Sequence, residues 1–192
     1  MRIVSGRFRG KALAAPKSRD IRPTTDKTRE SVFNILAHGI ADFTLEGAHV
    51  LDLFAGSGAM GLEAISRGAA TCLFIDTSAE ARGLIRQTIE NFGLEREAKL
   101  YRRDATSLGP AGNLGPFNLV FADPPYGKGL AELALASAAA GGWLAPGAIA
   151  VIEEEASATI ALPPTFAAFD QRDYGGTSIS FARFSPFSLT EA

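Results

Sequence analysis

Hydrophobic and polar positions change period repeatedly along the chain. Over 26–39, Val32, Phe33, Ile35 and Leu36 fall on one helical stripe that continues to Ile40, which predicts a helix. Short apolar runs then alternate with helical stretches. "AHVLDLF" reads as a strand, 60–67 as a helix ended by Gly68, and "TCLFID" as a second strand. A helix over 78–92 follows, with Ser78 as N-cap and Gly93 as its stop. "AKLYRR" and "FNLVFA" are further strands, and 130–140 is a helix. "GAIAVIEE", "FAAFDQRDY" and "TSISFARF" complete the set, with "WLAPGAI" read as a proline–glycine turn before the first of them. Strands alternating with helices imply a mainly parallel sheet covered on both faces. No helix separates the last two strands, so they are expected to pair antiparallel at an edge. At the start, "RIVSGRFRGKALAAP" has glycine-marked turns between short apolar pieces and reads as a β-hairpin.

At 192 residues, 46% of them hydrophobic, the chain suits one domain with a sizeable core. No apolar run is long enough to span a membrane. The single Cys72, inside an apolar strand, is expected to be a buried thiol in a reducing compartment. No CxxC, HExxH or clustered His/Cys pattern suggests a metal, and with only His38 and His49 a histidine-based triad is not expected.

Charge is unevenly placed. Residues 1–30 carry nine Lys/Arg against three acids, a net of +6, whereas the remainder has a net of −8. A basic start on an acidic body suggests a polyanion met by one edge of the molecule. A solvated basic face is the rival reading. An organelle transit peptide is disfavoured because Gly6, Gly10 and Pro16 interrupt any amphipathic helix.

Ligands of open α/β sheets sit outside the carboxyl ends of the strands, and several strand ends here carry polar signals. After the first strand, "LDLFAGSGAMG" places Gly56, Gly58 and Gly61 in a G-x-G-x-x-G pattern before a helix. Asp76, about twenty residues on, can accept both hydroxyls of an adenosine ribose, which NAD and S-adenosylmethionine share. Asp104 follows the third strand, where a carboxylate can accept from an adenine amine or simply cap a turn. In "LVFADPPYGKG", the strand stops because Pro124 and Pro125 have no N–H for a ladder, and Asp123 is forced into an extended conformation before them. A carboxylate, a rigid backbone and an aromatic ring are thus held together. The run "EEE" at 153–155 reads as a solvated strand end with no role, and "YGGTS" at 174–178 as an edge turn or a substrate-side loop.

"DPPY" after the fourth strand, with "DLFAGSG" after the first, resembles the amino-group methyltransferases that use S-adenosylmethionine. "RIVSGRFRGKAL", "RPTTDKTRESVFNIL", "DLFAGSGAMGLEAISRGA", "DPPY" and "YGGTSISF" together resemble the RsmD-type family, which methylates guanine N2 in small-subunit (16S) ribosomal RNA. The resemblance covers nearly the whole chain, and departs at Tyr126, where relatives often carry phenylalanine. It implies a seven-stranded, Rossmann-like class I methyltransferase fold, mainly parallel with an antiparallel edge. Residues 1–40 would be a basic hairpin-and-helix extension within the same domain, and 41–192 the methyltransferase domain. The expected cofactor contacts are Asp52, Phe54, Ala55, Gly56, Ser57, Gly58, Asp76, Thr77, Asp104 and Ala105. The expected catalytic set is Asp123, Pro124, Pro125 and Tyr126, with the Asp123 carboxylate and the Pro124 carbonyl gripping an exocyclic amine and Tyr126 offering a face on which an extruded base stacks. Arg7, Arg9, Lys11, Arg22 and Thr24 are the expected RNA contacts. No metal is expected. The expected partner is small-subunit ribosomal RNA, naked or in a partly assembled 30S particle, met by a cytoplasmic monomer. Rival readings are a DNA adenine-N6 or cytosine-N4 methyltransferase, an NAD-dependent oxidoreductase and a non-catalytic RNA-binding module. The last two leave 123–126 without a purpose.

Overall fold

A computed structural model describes residues 1–14 and 25–187. Its elements, in chain order, are α1 (Asp26–His38), β1 (His49–Leu53), α2 (Ala59–Ser66), β2 (Thr71–Ile75), α3 (Ala79–Phe92), β3 (Ala98–Tyr101), β4 (Phe117–Ala122), α4 (Leu130–Ala140), β5 (Leu144–Glu155), β6 (Phe166–Tyr174) and β7 (Thr177–Phe184). One 3₁₀ turn, Ala105–Ser107, follows β3. The seven strands take the order β3-β2-β1-β4-β5-β7-β6 in one sheet. The chain divides into two compact units, Met1–Arg102 and Arg103–Ala192.

In the first unit β1, β2 and β3 are parallel neighbours, with Leu51 facing Leu73 and Phe74 facing Leu100. Local signals place the helices. Thr25 caps α1 by accepting from the Thr28 amide at 3.1 Å. Ser78 caps α3 by accepting from Ala81 at 3.2 Å, and Gly93, at φ 69°, ends it. Helix α1 buries Val32, Phe33 and Leu36, whereas Ile35 and Ile40 stay partly exposed. Helix α2 lies close on the sheet: a Cβ on Gly61 would come within 2.4 Å of the Phe74 ring and 2.5 Å of Cys72 Sγ. Only glycine fits there.

The N-terminal segment folds back on itself as its turns predict: the Ile3 amide donates to Lys11 O at 3.0 Å, Gly10 to Ile3 O at 2.9 Å and Leu13 to Met1 O at 3.1 Å. A single antiparallel bridge joins Arg2 to Ala12, and residues 5–10 form turns. Glu63 of α2 accepts from the amides of Val4 at 2.8 Å and Ser5 at 2.9 Å, and Ser66 O accepts from the Arg7 amide at 2.8 Å. The short hairpin is therefore also tied to α2. Gly6 passes so close to Ser66 O that an added Cβ would lie 1.9 Å from it, and its φ is +80°. Arg29, fully buried, completes the junction: it donates to Arg2 O at 2.6 Å and Asp26 Oδ1 at 2.7 Å, and its Nε lies 3.5 Å from Glu63. Among the described residues, the N-terminal cations Arg2, Arg7 and Arg29 are thus paired inside the chain, with Asp26, Glu97 and Glu63 among their partners. The basic excess open to a polyanion is correspondingly smaller than the count of charges implies.

In the second unit β4 runs parallel to β5, and β7 lies antiparallel between β5 and β6. The antiparallel edge is where the missing helix predicted it. Strand β5 begins earlier than expected, at Leu144. Its segment 144–149 faces only 117–119 of β4, so Pro146 and Gly147 sit in a register irregularity inside the strand rather than in a turn before it.

Candidate active site

The carboxyl end of β1 delivers Asp52, only 4% exposed, whose carboxylate accepts from the Gly61 amide at 3.0 Å. Burial pushes the Asp52 carboxyl up to about 8, opposed by the Gly61 hydrogen bond and reinforced by the nearby charge of Asp76. Burial, with Asp52 as a second cause, also holds the Cys72 thiol well above its usual range, as an inert interior thiol requires.

The loop after β1 is tightly determined. Phe54 takes φ 57°, a left-handed conformation costly for an aromatic residue, and strain of this kind persists only where surrounding bonds enforce it. Those bonds are present. Ala55 donates to Ile75 O at 3.1 Å, and the Gly58 amide to Ala55 O at 2.6 Å. Asp76, at the end of β2, accepts from the Gly56 amide through Oδ2 at 2.8 Å and from Ser78 through Oδ1 at 2.7 Å. Each carboxylate oxygen has a second lone pair, so a partly exposed Asp76 can pin the loop and still accept from a ligand. Gly58, at φ 76°, is the N-cap of α2 and supplies no side-chain cap. Ser57 is buried, with its hydroxyl 3.7 Å from Met1 Sδ, and Thr77 is exposed, its carbonyl accepting from Arg82 at 2.6 Å.

In the second unit Asp104 caps the 3₁₀ turn. Its Oδ1 accepts from Thr106 Oγ1 at 2.7 Å and the Thr106 amide at 2.9 Å, and these two bonds hold the exposed carboxyl below its ordinary range. It is therefore both a turn residue and an ionised acceptor. Ala105 is buried beneath it.

Strand β4 ends at Ala122, and 123–126 leave the ladder as the two prolines require. Asp123 is partly exposed, Pro124 buried and Pro125 exposed. The half-buried Tyr126 donates its hydroxyl hydrogen to Glu153 Oε1 at 2.8 Å, with Thr177 Oγ1 3.1 Å away. The Gly127 amide donates to the buried Glu154 at 3.1 Å. Glu153, Glu154 and Thr177 are absent from the set expected from sequence, and the reading of 153–155 as a solvated strand end without a role is corrected here. Two signals could have found them: an acidic run ending the strand parallel to β4, and a tyrosine hydroxyl in need of a partner.

The expected RNA contacts divide. Arg7 forms an ion pair with Glu97 at 2.5 Å, and its guanidinium lies 4.7 Å from the Phe8 ring centroid. Lys11 Nζ sits 4.9 Å from Phe8 and 5.0 Å from Phe92. Arg9 is exposed. Arg7 and Arg9 lie in the turns of the N-terminal segment. Arg22 and Thr24 lie outside the described residues. Among the described residues no group of three or more His, Cys, Asp or Glu could hold a metal, and no helix is long and apolar enough to cross a membrane.

Residues 1–183 match a family described as Conserved hypothetical protein 95. The chain is also 41% identical over 158 residues to ribosomal RNA small subunit methyltransferase D of Escherichia coli strain K12, covering 81% of this chain and 75% of that protein. The chain belongs to this methyltransferase family. A putative rRNA methyltransferase of Bacillus subtilis, YlbH, is 38% identical over 128 residues, 66% of this chain and 67% of the relative. A solved structure of a putative methyltransferase, yhhF, from Escherichia coli superposes with a TM-score of 0.83 at 30% identity, covering 97% of this chain and 99% of its own. The family carries the Rossmann-like class I methyltransferase fold, and this seven-stranded sheet is an instance of it.

Proposed function

We propose that this protein transfers a methyl group from S-adenosylmethionine to the exocyclic N2 of a guanine in small-subunit ribosomal RNA. The observation that carries the reading is the turn 123–127, in which a carboxylate, a proline carbonyl and an anchored aromatic ring leave a strand end together, in a chain of the methyltransferase D family.

The first unit fits the cofactor. Asp76 retains acceptor capacity for ribose hydroxyls, and 54–58 bring main chain without bulky side chains at Gly56 and Gly58. The N-terminus of α2, capped by no side chain, favours a carboxylate. Asp52, Phe54, Ala55, Ser57 and Thr77 complete this set, and in the second unit Asp104 and Ala105 are proposed as adenine-side contacts. When bound, the sulfonium supplies an activated methyl and its own leaving group.

The remaining chemistry belongs to the second unit. An exocyclic amine is a poor nucleophile because its lone pair is delocalised into the ring. Asp123 and the Pro124 carbonyl accept its two N–H groups, hold the nitrogen in line and favour its pyramidal form. Asp123 orients the amine and takes its proton late. Pro125 stiffens the turn, and Tyr126 stacks on the extruded base. Arg9 and Lys11, with Arg7, Arg22 and Thr24, are the residues proposed to meet RNA phosphate. Residues 1–40 act as an extension of the methyltransferase domain in a cytoplasmic monomer, and the substrate is ribosomal RNA, naked or within a partly assembled 30S particle.

Methyl transfer from labelled S-adenosylmethionine to unmodified small subunits, naked 16S RNA and duplex DNA tests this reading. Label in guanine N2 of either RNA substrate is the expected result, and label confined to DNA would overturn it.

A further inference from the structure

The acidic run at the carboxyl end of β5 grips the turn 123–127 from both faces of the strand. Successive side chains of a strand point to opposite faces, so Glu153 and Glu154 diverge. In the antiparallel register Glu155 faces Thr177 and Glu153 faces Ile179, which puts Glu153 and Thr177 on the same face as diagonal neighbours. Both reach the Tyr126 hydroxyl, at 2.8 and 3.1 Å. A phenol has one hydrogen, and a carboxylate can only accept. Tyr126 therefore donates to Glu153, and Thr177 donates its own hydrogen to the phenol oxygen. On the opposite face the buried Glu154 accepts from the Gly127 amide at 3.1 Å and from the Glu155 amide at 2.8 Å. Burial raises the Tyr126 phenol above its ordinary range, with Glu153 and Asp123 adding to the rise against the Thr177 bond, so the hydroxyl remains a donor at neutral pH.

We propose that Glu153 and Thr177 are positioning residues that fix the Tyr126 ring as a platform built before the guanine arrives, with Glu154 holding the turn behind it. This rests on the methyl-transfer reading above. An untethered ring would have to be ordered by the base itself, and the tether removes that cost in advance. Seating the base is an internal step that competes with its stacking in RNA, whereas overall RNA affinity comes mainly from phosphate contacts. A loosened platform therefore lowers the fraction of complexes with a seated base and leaves RNA and cofactor affinity alone.

Tyr126→Phe keeps the ring and deletes the tether. Its single-turnover rate at saturating RNA is expected to fall about tenfold, with the Kd for RNA and for S-adenosylhomocysteine unchanged. Glu153→Ala and Thr177→Val are each expected to slow turnover several-fold, by about as much as one missing hydrogen bond, and to add little on the Tyr126→Phe background. Glu153→Gln should restore most of the rate, because an amide oxygen still accepts. With 3-fluorotyrosine incorporated, the Tyr126 fluorine resonance should shift in Glu153→Ala and Thr177→Val without RNA present. An undiminished rate in Tyr126→Phe, an unmoved fluorine signal, or fully additive losses would overturn the proposal. If Glu153→Ala lowers the melting temperature, Thr177→Val carries the same comparison. A wild-type protein that methylates no guanine would instead sink the methyl-transfer reading, and the fluorine signal would still judge the tether.

Discussion

The glycine-rich loop after β1 and the proline-rich turn after β4 solve one problem in two ways. Both are irregular backbone at a strand end, and both are held by carboxylates accepting main-chain N–H groups. In the first, Asp76 pins Gly56 and Ser78, and is itself the residue proposed to meet the cofactor. In the second, Glu154 holds Gly127 and Glu153 holds the Tyr126 hydroxyl, and a different residue, Asp123, is the one proposed to meet the substrate. One region merges support and contact in a single side chain. The other separates them. A substitution at Asp76 should therefore damage scaffold and binding together, whereas the second region should yield losses of rate alone.

The sharpest test of that separation is Asp123→Ala. Single-turnover methylation is expected to fall by about two or more powers of ten, as when a transition-state hydrogen bond is removed, while S-adenosylhomocysteine affinity stays near wild type by titration calorimetry. Asp123→Asn should retain more activity, because its amide oxygen still accepts.

Asp76→Ala should break the merged arrangement. Cofactor affinity is expected to drop by about 1.5–3 kcal/mol, as for hydrogen bonds to a charged group. Because Gly56 and Ser78 lose their acceptor too, the melting temperature should fall in the same variant. A variant that loses affinity at unchanged melting temperature would show that Asp76 supports nothing but the ligand.

Asp52 sharpens the comparison through pH. Its folded-state pKa, pushed up to about 8, lies above the ordinary 3.8, so the native state favours the protonated carboxyl. The stability this contributes is fully present below about pH 4 and is lost as pH rises through 8, at up to ~1.4 kcal/mol per pH unit. Asp52→Asn cannot ionise. Urea unfolding from pH 5 to 8.5 should show wild type losing stability relative to the variant as pH rises, and parallel curves would refute the buried-acid account.

The smallest effect concerns the N-terminal cations. Replacing Arg7, Arg9 and Lys11 by Gln should flatten the log K versus log[salt] slope for RNA by about 0.7–0.9 for each phosphate that is no longer neutralised. Arg7 is paired with Glu97, so a total change of roughly 1.5, the equivalent of about two phosphates rather than three, is expected. An unaltered slope would mean that this charge serves solubility.

Features set by neighbours in sequence could be read without a structure. Ser78 and Gly93 bound α3 because a cap and a left-handed stop act within one turn, and β6 and β7 occupy the segments read as strands from the sequence. The glycine pattern and Asp76 were legible because their spacing is local to one strand–helix–strand unit, and 123–126 because proline ends a strand wherever it falls. Tertiary structure alone decided which charges meet. The first thirty residues suggested a basic edge open to a polyanion, yet Glu63 holds the Val4 and Ser5 amides and Arg29 is fully buried beside it. Likewise 153–155 looked like a solvated end until register brought Thr177 and Glu153 to one hydroxyl, from 51 and 27 residues away. The physical reason is range. Caps and proline stops are fixed by a few consecutive dihedrals, whereas an ion pair or a tethered phenol depends on which strands become neighbours, and no short window of sequence carries that.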